Sequence, residues 1–303
     1  MSDNTEFRKE LEERTKQINE QSESYLPEEK GHQKTIFEAM NYSVKAGGKR
    51  LRPLFMQEIC RLFTGEVQPV VVPFMAAIEM IHTSSLVHDD LPCMDDDMMR
   101  RGQASTWAEY GEDMGVLAGD ALMIYAFEVA AKAFKEVSDA DDLKRVGRAI
   151  EILASKTGIY GMIGGQTVDV ELAGGPIPKN KLDFIYRLKT GALIEASMLI
   201  GAVLGGAAEE DCKIVESLAG KVGLAFQIQD DILDVTSTSE ALGKPVLSDE
   251  KNQKTTYVTL VGLEQAKKNV EEISARAVSL LKELPGNNAF LENLIAMLVE
   301  RKK

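Results

Sequence analysis

The chain has 303 residues, of which 44% are hydrophobic and 27% charged, a balance typical of a folded globular protein rather than a disordered chain. With 48 acidic against 35 basic side chains, the formal net charge is −13, which disfavours binding to nucleic acid or to anionic membranes. A phosphate-bearing ligand would therefore need a local group of basic residues or metal ions.

Helical periodicity runs through nearly the whole chain, without the repeated alternating runs that would build a sheet. The predicted helices cover, in chain order, about residues 5–24, 28–46, 53–63, 70–88, 111–136, 140–162, 179–204, 209–235, 257–283 and 287–301. No linker rich in serine and proline divides them. We therefore predict one all-α domain over residues 1–303, a bundle of about ten helices.

Turn and cap residues account for several of the breaks. Gly47-Gly48 ends the second predicted helix, and Pro53 can open the third. Ser138 is expected to cap the helix that follows it, and Gly158 to interrupt that helix near its end. The connection at residues 236–256 is long and polar and directly follows an acidic motif, so we interpret it as a functional lid.

Three features bear on the compartment of the protein. The three cysteines are scattered and odd in number, which favours a reducing compartment. Residues 1–13 are charged and lack the apolar run of a signal peptide. The most lipid-like stretch, residues 191–208, contains Glu195 and many Gly and Ala residues, so we interpret it as a tightly packed buried helix. A cytoplasmic location without a membrane span is expected.

Two clusters of aspartates dominate the sequence, one at residues 88–97 and one at residues 227–234. In the second, Asp230 and Asp234 lie four residues apart on a predicted helix and point the same way. Carboxylates so placed repel each other, and a divalent cation is the simplest compensation. A solvated helix end is the plainer interpretation of either cluster alone. Two such runs, each after an apolar helix, favour a metal site.

The first cluster requires a break in the helix that leads into it. Asp89 and Asp95 are six residues apart, a spacing that does not fit one helical face. Pro92 biases Leu91 away from the α-helical region. We therefore predict that the chain leaves the helix after Asp90 and bulges, which returns Asp95 to the same pole. Ligands that are all oxygen favour Mg²⁺, or Mn²⁺, with a phosphate or diphosphate completing the coordination.

Basic residues flank the acidic ones. Lys49, Arg50 and Arg52 stand together at a predicted helix junction, and Arg100 and Arg101 follow the first cluster within one turn. Arginine is a forked donor that suits phosphate oxygens. A short basic run is more often a solvent-exposed feature. Beside two acidic clusters in an acidic chain, however, these residues favour phosphate binding.

The motifs occur in an order that matches a known family. They are Gly-Gly-Lys-Arg-Leu-Arg-Pro at 47–53, His82, Asp89 to Asp95 with Arg100-Arg101, Lys189-Thr190-Gly191, Gln227 to Asp234, Lys244 and Lys254. Together they resemble the trans-prenyl diphosphate synthases of the short-chain farnesyl and geranylgeranyl type. The resemblance implies the all-α isoprenoid synthase fold, in which a central cavity carries both aspartate clusters at its mouth. It also implies a homodimer.

The resemblance further implies a role for each matching residue. Three Mg²⁺ ions, which Mn²⁺ can replace, would hold an allylic diphosphate, with isopentenyl diphosphate beside it. The implied metal ligands are Asp89, Asp95 and Asp230, with Asp90, Asp231 and Asp234 close by. The allylic diphosphate would contact Arg100, Lys189 and Lys244, and isopentenyl diphosphate would contact Gly48, Lys49, Arg52, His82 and Arg101. Lys189, Thr190 and Gln227 would stabilise the allylic cation, and Lys254 would help to close the site.

The implied reaction ionises dimethylallyl, geranyl or farnesyl diphosphate and adds isopentenyl diphosphate, giving a C15 to C20 product. Farnesyl synthases that resemble this chain usually carry an aromatic residue four or five positions before the first aspartate, where this chain has Ser85 and Ser84. Such an aromatic side chain would form the floor of the cavity and stop the growing hydrocarbon, so its absence favours the C20 geranylgeranyl product. A floor from a neighbouring helix would instead leave a C15 farnesyl synthase. The candidates for such a floor are Met114, Met123 and Phe127.

Three other functions stay open. A class I terpene cyclase shares the fold and the metal chemistry, but it usually has a different second motif and does not need the site at Lys49–Arg52. A non-catalytic subunit of a heteromeric synthase is the binding-protein alternative, although such subunits commonly lose one aspartate motif. A Mg²⁺-dependent phosphohydrolase would release phosphate without needing isopentenyl diphosphate.

Overall fold

The computed structural model describes residues 2–236, 255–286 and 288–300. Its α-helices are α1 (Ser2–Glu23), α2 (Lys34–Lys45), α3 (Leu51–Thr64), α4 (Val72–Asp89), α5 (Thr106–Tyr110), α6 (Glu112–Ala131), α7 (Ala140–Thr157), α8 (Met162–Glu171), α9 (Lys179–Ile185), α10 (Gly191–Leu204), α11 (Glu209–Thr236), α12 (Tyr257–Val261), α13 (Leu263–Leu281) and α14 (Ala289–Glu300). Short 3₁₀ turns cover Pro69–Val71 and Lys132–Lys135, and Tyr186–Thr190 form a π-helical turn between α9 and α10. The predicted all-α class is confirmed.

Most predicted helices are present, and the differences have local causes. The helix predicted at 140–162 ends at Thr157, because Gly158 at its C-cap is extended, and α8 follows as a separate helix that was not predicted. Gly262, with a φ of 83°, divides the segment predicted at 257–283 into α12 and α13. The short helix α5 was not predicted either, and α2 begins six residues later than the predicted start at 28.

The cap of α7 is Asp139 and not Ser138. One carboxylate oxygen of Asp139, Oδ1, accepts hydrogen bonds of 3.0 Å from the backbone N–H groups of Asp141 and Asp142. A carboxylate at this position also complements the positive end of the helix dipole, which a serine hydroxyl does less well. The prediction of Ser138 as the cap was therefore wrong by one residue.

A small β-hairpin follows the first acidic cluster. Strand β1 (Met99–Arg100) pairs antiparallel with β2 (Gln103–Ala104). The turn residues Arg101 and Gly102 have φ values of 52° and 83°, which suits the two-residue loop of a hairpin. Two-residue strands have no alternating run, so the sequence did not predict them. The hairpin brings Arg100 back beside the end of α4.

Helix α10 forms the centre of the bundle. All of its residues are buried, and it packs against α3, α7 and α11. Glu195, the charged residue within it, is paired with Lys156 of α7 at 2.6 Å between Oε2 and Nζ. The interpretation of this stretch as a buried helix is confirmed, because its one carboxylate is neutralised by a partner inside the protein.

Two other helical stretches, Pro69–Asp89 and Glu112–Lys135, are long and apolar enough to cross a membrane. The apolar window of the first is 78% buried inside the bundle, as expected for the core helix α4. The window of the second is 39% buried, and α6 leaves Val116, Leu117 and Ile124 exposed. The core position of α4 explains its apolar composition, whereas α6 presents an apolar face that the described chain does not cover.

Replacement of Gly201 by alanine is expected to destabilise the fold by about 1–3 kcal/mol, the usual cost of overpacking a core. A Cβ atom at Gly201 in α10 would lie 2.3 Å from the backbone oxygen of Met56 in α3, so the two helices would have to move apart. Urea unfolding followed by circular dichroism measures the change.

Gly147→Ala in α7 is the matched control for this substitution. Apart from the backbone of α7 itself and the two neighbouring residues, no described atom lies within 4 Å of the Cβ position at Gly147. Alanine in such an open helical position is expected to stabilise the protein by about 0.5–1 kcal/mol. Equal stability of the two variants would show that α3 and α10 do not depend on a close backbone approach.

Candidate active site

A cavity of about 730 Å³ opens between α4, α6, α8, the π-helical turn and α10. Its polar end carries Arg52, His82, Asp89 and Lys189. Its walls are mostly apolar and include Leu86, Met123, Met162, Ile163 and Leu193. A cavity of this size with charged groups at one end suits a ligand that has an anionic head and a hydrocarbon tail.

The first aspartate cluster forms the predicted bulge. Helix α4 ends at Asp89, and the backbone N–H of Asp95 donates to the carbonyl oxygen of Asp89 at 2.9 Å. The N–H of Asp97 donates in the same way to Asp90 at 3.1 Å. The loop thus turns back on the helix end, and the prediction that Asp95 returns to the pole of Asp89 is confirmed.

Asp89 is partly buried at this helix end. Its Oδ1 accepts a hydrogen bond of 2.8 Å from Nε2 of Gln166 in α8. Burial raises the pKa of Asp89 to about 6, with a further rise from Asp95, while the charges of Lys189 and Arg100 oppose the shift. A bound cation would stabilise the ionised form of Asp89. The carboxylate oxygens of Asp89 and Asp95 therefore suit the predicted Mg²⁺.

Asp90 makes a different contact from Asp89. It is 2% exposed, and Nε of Arg100 donates to its two oxygens at 3.0 and 3.2 Å, with Nη2 of Arg100 also bonded to it. Burial raises the pKa of Asp90, whereas Arg100 opposes the shift. This pair anchors the hairpin to α4. A metal-ligand role for Asp90 would therefore compete with its contact to Arg100.

The π-helical turn presents two of the predicted catalytic residues. Nζ of Lys189 donates to Oδ2 of Asp169 at 2.6 Å, and Oγ1 of Thr190 donates to Oε1 of Gln227 in α11 at 2.7 Å. The predicted neighbours Thr190 and Gln227 are thus brought together. A π-helical turn is rare and is commonly found at functional sites.

Two site residues, Gln166 and Asp169, were missed by the sequence reasoning. Both lie on α8, one helical turn apart, and each holds a predicted site residue. The available signal was their spacing of three residues within an otherwise apolar segment. We did not predict a separate helix here because four glycines, at positions 158, 161, 164 and 165, lower the helix propensity of the segment.

A second cavity of about 410 Å³ adjoins the first. It is lined by all of the residues predicted to bind isopentenyl diphosphate, which are Gly48, Lys49, Arg52, His82 and Arg101. Arg52 and His82 line both cavities and so stand at their junction. At one edge, Gly48 has a φ of 142° and lies against the guanidinium of Arg101, which donates to the backbone oxygen of Gly47.

Arg50 lines the smaller cavity, but its charge is already paired with Glu79 within the protein. Its guanidinium is buried and donates to Asn19 at 2.6 Å, to Glu79 at 2.7 Å and to the backbone oxygen of Val44 at 2.8 Å. It also caps α3 with a φ of 48°. Of the three cations at this helix junction, Arg50 is therefore structural, and it fixes the backbone that carries Lys49 and Arg52.

The junction between the cavities is strongly basic. Burial, followed by the charges of Arg52 and Arg101, lowers the pKa of His82 well below its usual value, so this imidazole is neutral. Burial also lowers the pKa of Arg52, although Glu79 and Asp230 oppose the shift. Nε of Arg52 is buried without a hydrogen-bond partner among the described residues. An anion bound here would satisfy that donor and reduce the repulsion.

The aspartates of the second cluster lie in different environments. Asp231 is buried, and its Oδ2 accepts hydrogen bonds from the hydroxyl of Tyr186 at 2.5 Å and from the backbone N–H of Tyr257 at 2.7 Å. Asp234 is also buried, whereas Asp230 is only partly buried and its charge acts on Arg52. Asp230 thus faces the basic junction, and Asp231 joins α11 to α12.

Within the described residues, no three His, Cys, Asp or Glu side chains converge closely enough to hold a metal ion by themselves. Mg²⁺ commonly takes one or two carboxylates and completes its shell with water and substrate phosphate oxygens, so Asp89, Asp95 and Asp230 fit such a shared site. Lys244 and Lys254 lie outside the described residues, as do residues 237–254 of the lid predicted at 236–256.

Residues 33–285 match the family model described as Polyprenyl synthetase. The chain belongs to this family. It is 43% identical over 255 residues to the chloroplastic geranylgeranyl pyrophosphate synthase of Catharanthus roseus, a match that covers 84% of this chain and 70% of that relative. It is also 43% identical over 237 residues to the farnesyl diphosphate synthase of Geobacillus stearothermophilus, over 77% of each chain.

The fold of this polyprenyl synthetase is also found in solved structures. A crystal structure of an FPP/GFPP synthase from Zymomonas mobilis superposes with a TM-score of 0.83 at 29% identity, over 99% of both chains. The expected isoprenoid synthase fold is thus confirmed, and the two cavities described above are the cavities of a polyprenyl synthetase.

The serines predicted to control chain length lie on different faces of α4 in the polyprenyl synthetase. Ser85 lines the larger cavity, and its hydroxyl donates to the backbone oxygen of His82 at 2.8 Å. Ser84 is buried away from the cavity and donates to the oxygen of Gly119 in α6 at 2.7 Å. The prediction that Ser84 controls product length is corrected, because its side chain points from α4 toward α6 and does not line the cavity. Met123 lines the cavity, whereas Met114 and Phe127 do not.

Proposed function

We propose that this polyprenyl synthetase is a trans-prenyltransferase that joins isopentenyl diphosphate to an allylic diphosphate and gives a product of C15 to C20. The observation that carries the proposal is the junction of two cavities at Arg52 and His82, one basic and one largely apolar with Asp89 and Lys189 at its edge. Two diphosphates bound in them would meet at this shared wall, which converts a bimolecular reaction into an oriented one.

The residues at the polar end have complementary roles in the proposed reaction. Asp89, Asp95 and Asp230 would hold Mg²⁺, or Mn²⁺ in its place, which offsets the charge that develops on the leaving diphosphate. Arg100 and Lys189 add fixed positive charge at the same end. The oxygens of the Thr190–Gln227 pair would stabilise the allylic cation, and the apolar walls exclude the water that would quench it.

Incubation of the protein with Mg²⁺, isopentenyl diphosphate and either farnesyl or dimethylallyl diphosphate tests the proposal, with products dephosphorylated and sized. We expect farnesyl diphosphate to be extended to C20. Formation of C15 from dimethylallyl diphosphate, without extension of farnesyl diphosphate, would make the protein a farnesyl synthase. No condensation with either primer would refute the proposal, and phosphate release without isopentenyl diphosphate would then identify a phosphohydrolase.

We favour the C20 product because the cavity has a small residue, Ser85, on its α4 wall. Ser85→Phe is expected to shorten the main product from C20 to C15, since the ring would project into the path of the growing hydrocarbon. Product length is measured as above. Ser84→Ala is the control: its hydroxyl faces Gly119, so the product length should not change. An unchanged product in Ser85→Phe would place the floor elsewhere in the cavity.

We also propose that the protein forms a cytoplasmic homodimer. The uncovered face of α6, where Ile124 is 72% exposed, suits a second copy of the chain, and the three cysteines are all free thiols. Ile124→Glu is expected to convert the dimer to a monomer, as measured by light scattering after size exclusion. Lys268→Glu, an equally exposed position on α13, is the control. A monomeric wild type would contradict the proposal.

A further inference from the structure

A third cleft, of about 490 Å³, lies between α9, the π-helical turn, α11 and α13. It shares no lining residue with either cavity of the candidate active site. Its volume is within the range of sites for small molecules. The cleft is therefore a separate concave site with its own wall chemistry.

Each of the three acidic residues that line this cleft is in an ion pair. Asp183 is paired with Lys179 at 2.9 Å, and Lys156 is paired with Glu195 at 2.6 Å and with Glu216 at 3.2 Å. Because Lys156 is shared by two carboxylates, these five paired groups carry a net charge of −1, and the three further cations of the wall bring the total to +2.

Three cations of the wall have no such partner. Arg187 of the π-helical turn, Lys221 of α11 and Arg276 of α13 make no hydrogen bond or ion pair with any residue that the structure describes. They converge from separate elements in a chain whose net charge is −13. Like charges held around one concave space repel each other, and a bound anion relieves that repulsion.

We propose that this cleft binds a small phosphorylated anion. Two arginines and a lysine provide forked and single donors that suit phosphate oxygens. Leu224, Tyr257 and Ile273 form an apolar part of the same wall, which leaves room for a short hydrocarbon group on the anion. The site holds its ligand by basic side chains alone and needs no metal ion, unlike the aspartate clusters.

The cleft contacts elements that carry the candidate catalytic residues. Arg187 lies two residues before Lys189 in the π-helical turn, and Lys221 lies on α11, which also carries Gln227. Tyr257, on the cleft wall, donates its backbone N–H to Asp231 at 2.7 Å. An anion bound here would bias the position of these elements, so its occupancy provides a means of regulating the active site.

Calorimetric titration with inorganic diphosphate, in EDTA and without Mg²⁺, tests the proposal without requiring turnover. The variant Arg52→Gln is used as the background to weaken binding at the basic junction of the active site. We expect one site in this background, and we expect Arg276→Ala to weaken it by about 10-fold or more, the usual loss for a charge-assisted hydrogen bond. Arg187→Gln is a second variant with the same expected effect.

Lys268→Ala is the matched control for Arg276→Ala. It removes the same charge from the same helix, and both positions are exposed, but Lys268 pairs only loosely with Glu272 at 3.9 Å and does not line the cleft. We expect the affinity of this variant for diphosphate to stay within about 2-fold of the background, because Lys268 does not line the cleft and solvent screens its charge from an anion bound there. No binding in the Arg52→Gln background, or equal losses in the Arg276 and Lys268 variants, would overturn the proposal.

A parallel titration with isopentenyl diphosphate distinguishes two sources of the anion. If isopentenyl diphosphate binds more tightly than inorganic diphosphate, and Arg276→Ala abolishes that binding, the apolar wall contacts the hydrocarbon group of a diphosphate ester. If the two probes bind with equal affinity, and Arg276→Ala weakens both, the site recognises the inorganic anion and not the hydrocarbon group. Binding of either probe that survives both Arg276→Ala and Arg187→Gln would refute the site.

Discussion

Replacement of Asp89 by asparagine is expected to lower the rate of prenyl transfer by a factor of about 100 or more, because the variant loses a charged metal ligand at the point where the leaving diphosphate binds. Asparagine has the same shape and keeps an oxygen that can accept the hydrogen bond from Gln166. A lower rate in this variant would therefore result from the missing charge at residue 89 and not from a rearranged loop. Incorporation of labelled isopentenyl diphosphate, measured over a range of Mg²⁺ concentrations, gives the effect.

The same substitution should not destabilise the protein. The pKa of Asp89 is raised from 3.8 to about 6, so at pH 7 the folded protein holds an ionised carboxylate that the unfolded chain would hold more easily. A neutral side chain removes that cost, and we expect the unfolding free energy of Asp89→Asn to equal or exceed that of the wild type. Lower activity together with lower stability would point to a folding defect and would weaken the metal assignment.

Asp96→Asn is the matched control for Asp89→Asn. Asp96 belongs to the same cluster but is exposed, and its φ of 53° is one that asparagine tolerates well. The variant makes the same change in net charge within a few residues, so a general effect of charge would appear in both. We expect turnover within about 2-fold of the wild type, as is usual for an exposed position. Near-wild-type activity in Asp89→Asn would refute the metal site at Asp89.

The sequence was sufficient to predict the framework of this site. Asp89 and Asp95 are joined by the bulge that Pro92 and their spacing predicted, and Thr190 and Gln227 meet although they are far apart in the chain. These predictions succeeded for different reasons. The bulge follows from local backbone chemistry, whereas the meeting of Thr190 and Gln227 came from the resemblance to a family.

The face of α4 on which a serine lies decides whether it can limit the length of the product. Ser84 and Ser85 are neighbours in sequence, yet one hydrogen-bonds to α6 and the other faces the cavity, because successive helical residues point about 100° apart. Asp230 and Asp231 differ for the same reason. The spacing of His82, Ser85 and Asp89, at steps of three and four residues, places Ser85 and not Ser84 on the face of α4 that lines the cavity.

Glu79→Gln is expected to lower the free energy of unfolding by about 3–5 kcal/mol, the range for breaking a buried ion pair by removing one partner. Glu79 is 2% exposed, and its Oε1 accepts a hydrogen bond of 2.7 Å from Arg50. Glutamine fills the same space without a charge, so the guanidinium of Arg50 would stay buried without its counter-ion. Urea unfolding measures the loss.

Glu272→Gln is the control for this substitution. Glu272 is exposed and lies 3.9 Å from Lys268 one turn away on α13, so solvent and salt screen the pair. We expect a change of less than about 1 kcal/mol, as for other surface ion pairs. A similar loss in both variants would mean that burial does not set the strength of the Arg50–Glu79 pair.

The Arg50–Glu79 pair should also affect substrate binding. Arg50 ties the start of α3 to α1 through Asn19 and to α2 through Val44, while its neighbours Lys49 and Arg52 line the smaller cavity. At a temperature where Glu79→Gln is still folded, a released Arg50 would let that segment move, and we expect the KM for isopentenyl diphosphate to rise more than kcat falls. An unchanged KM in a destabilised variant would show that the pair stabilises the fold without positioning the cavity wall.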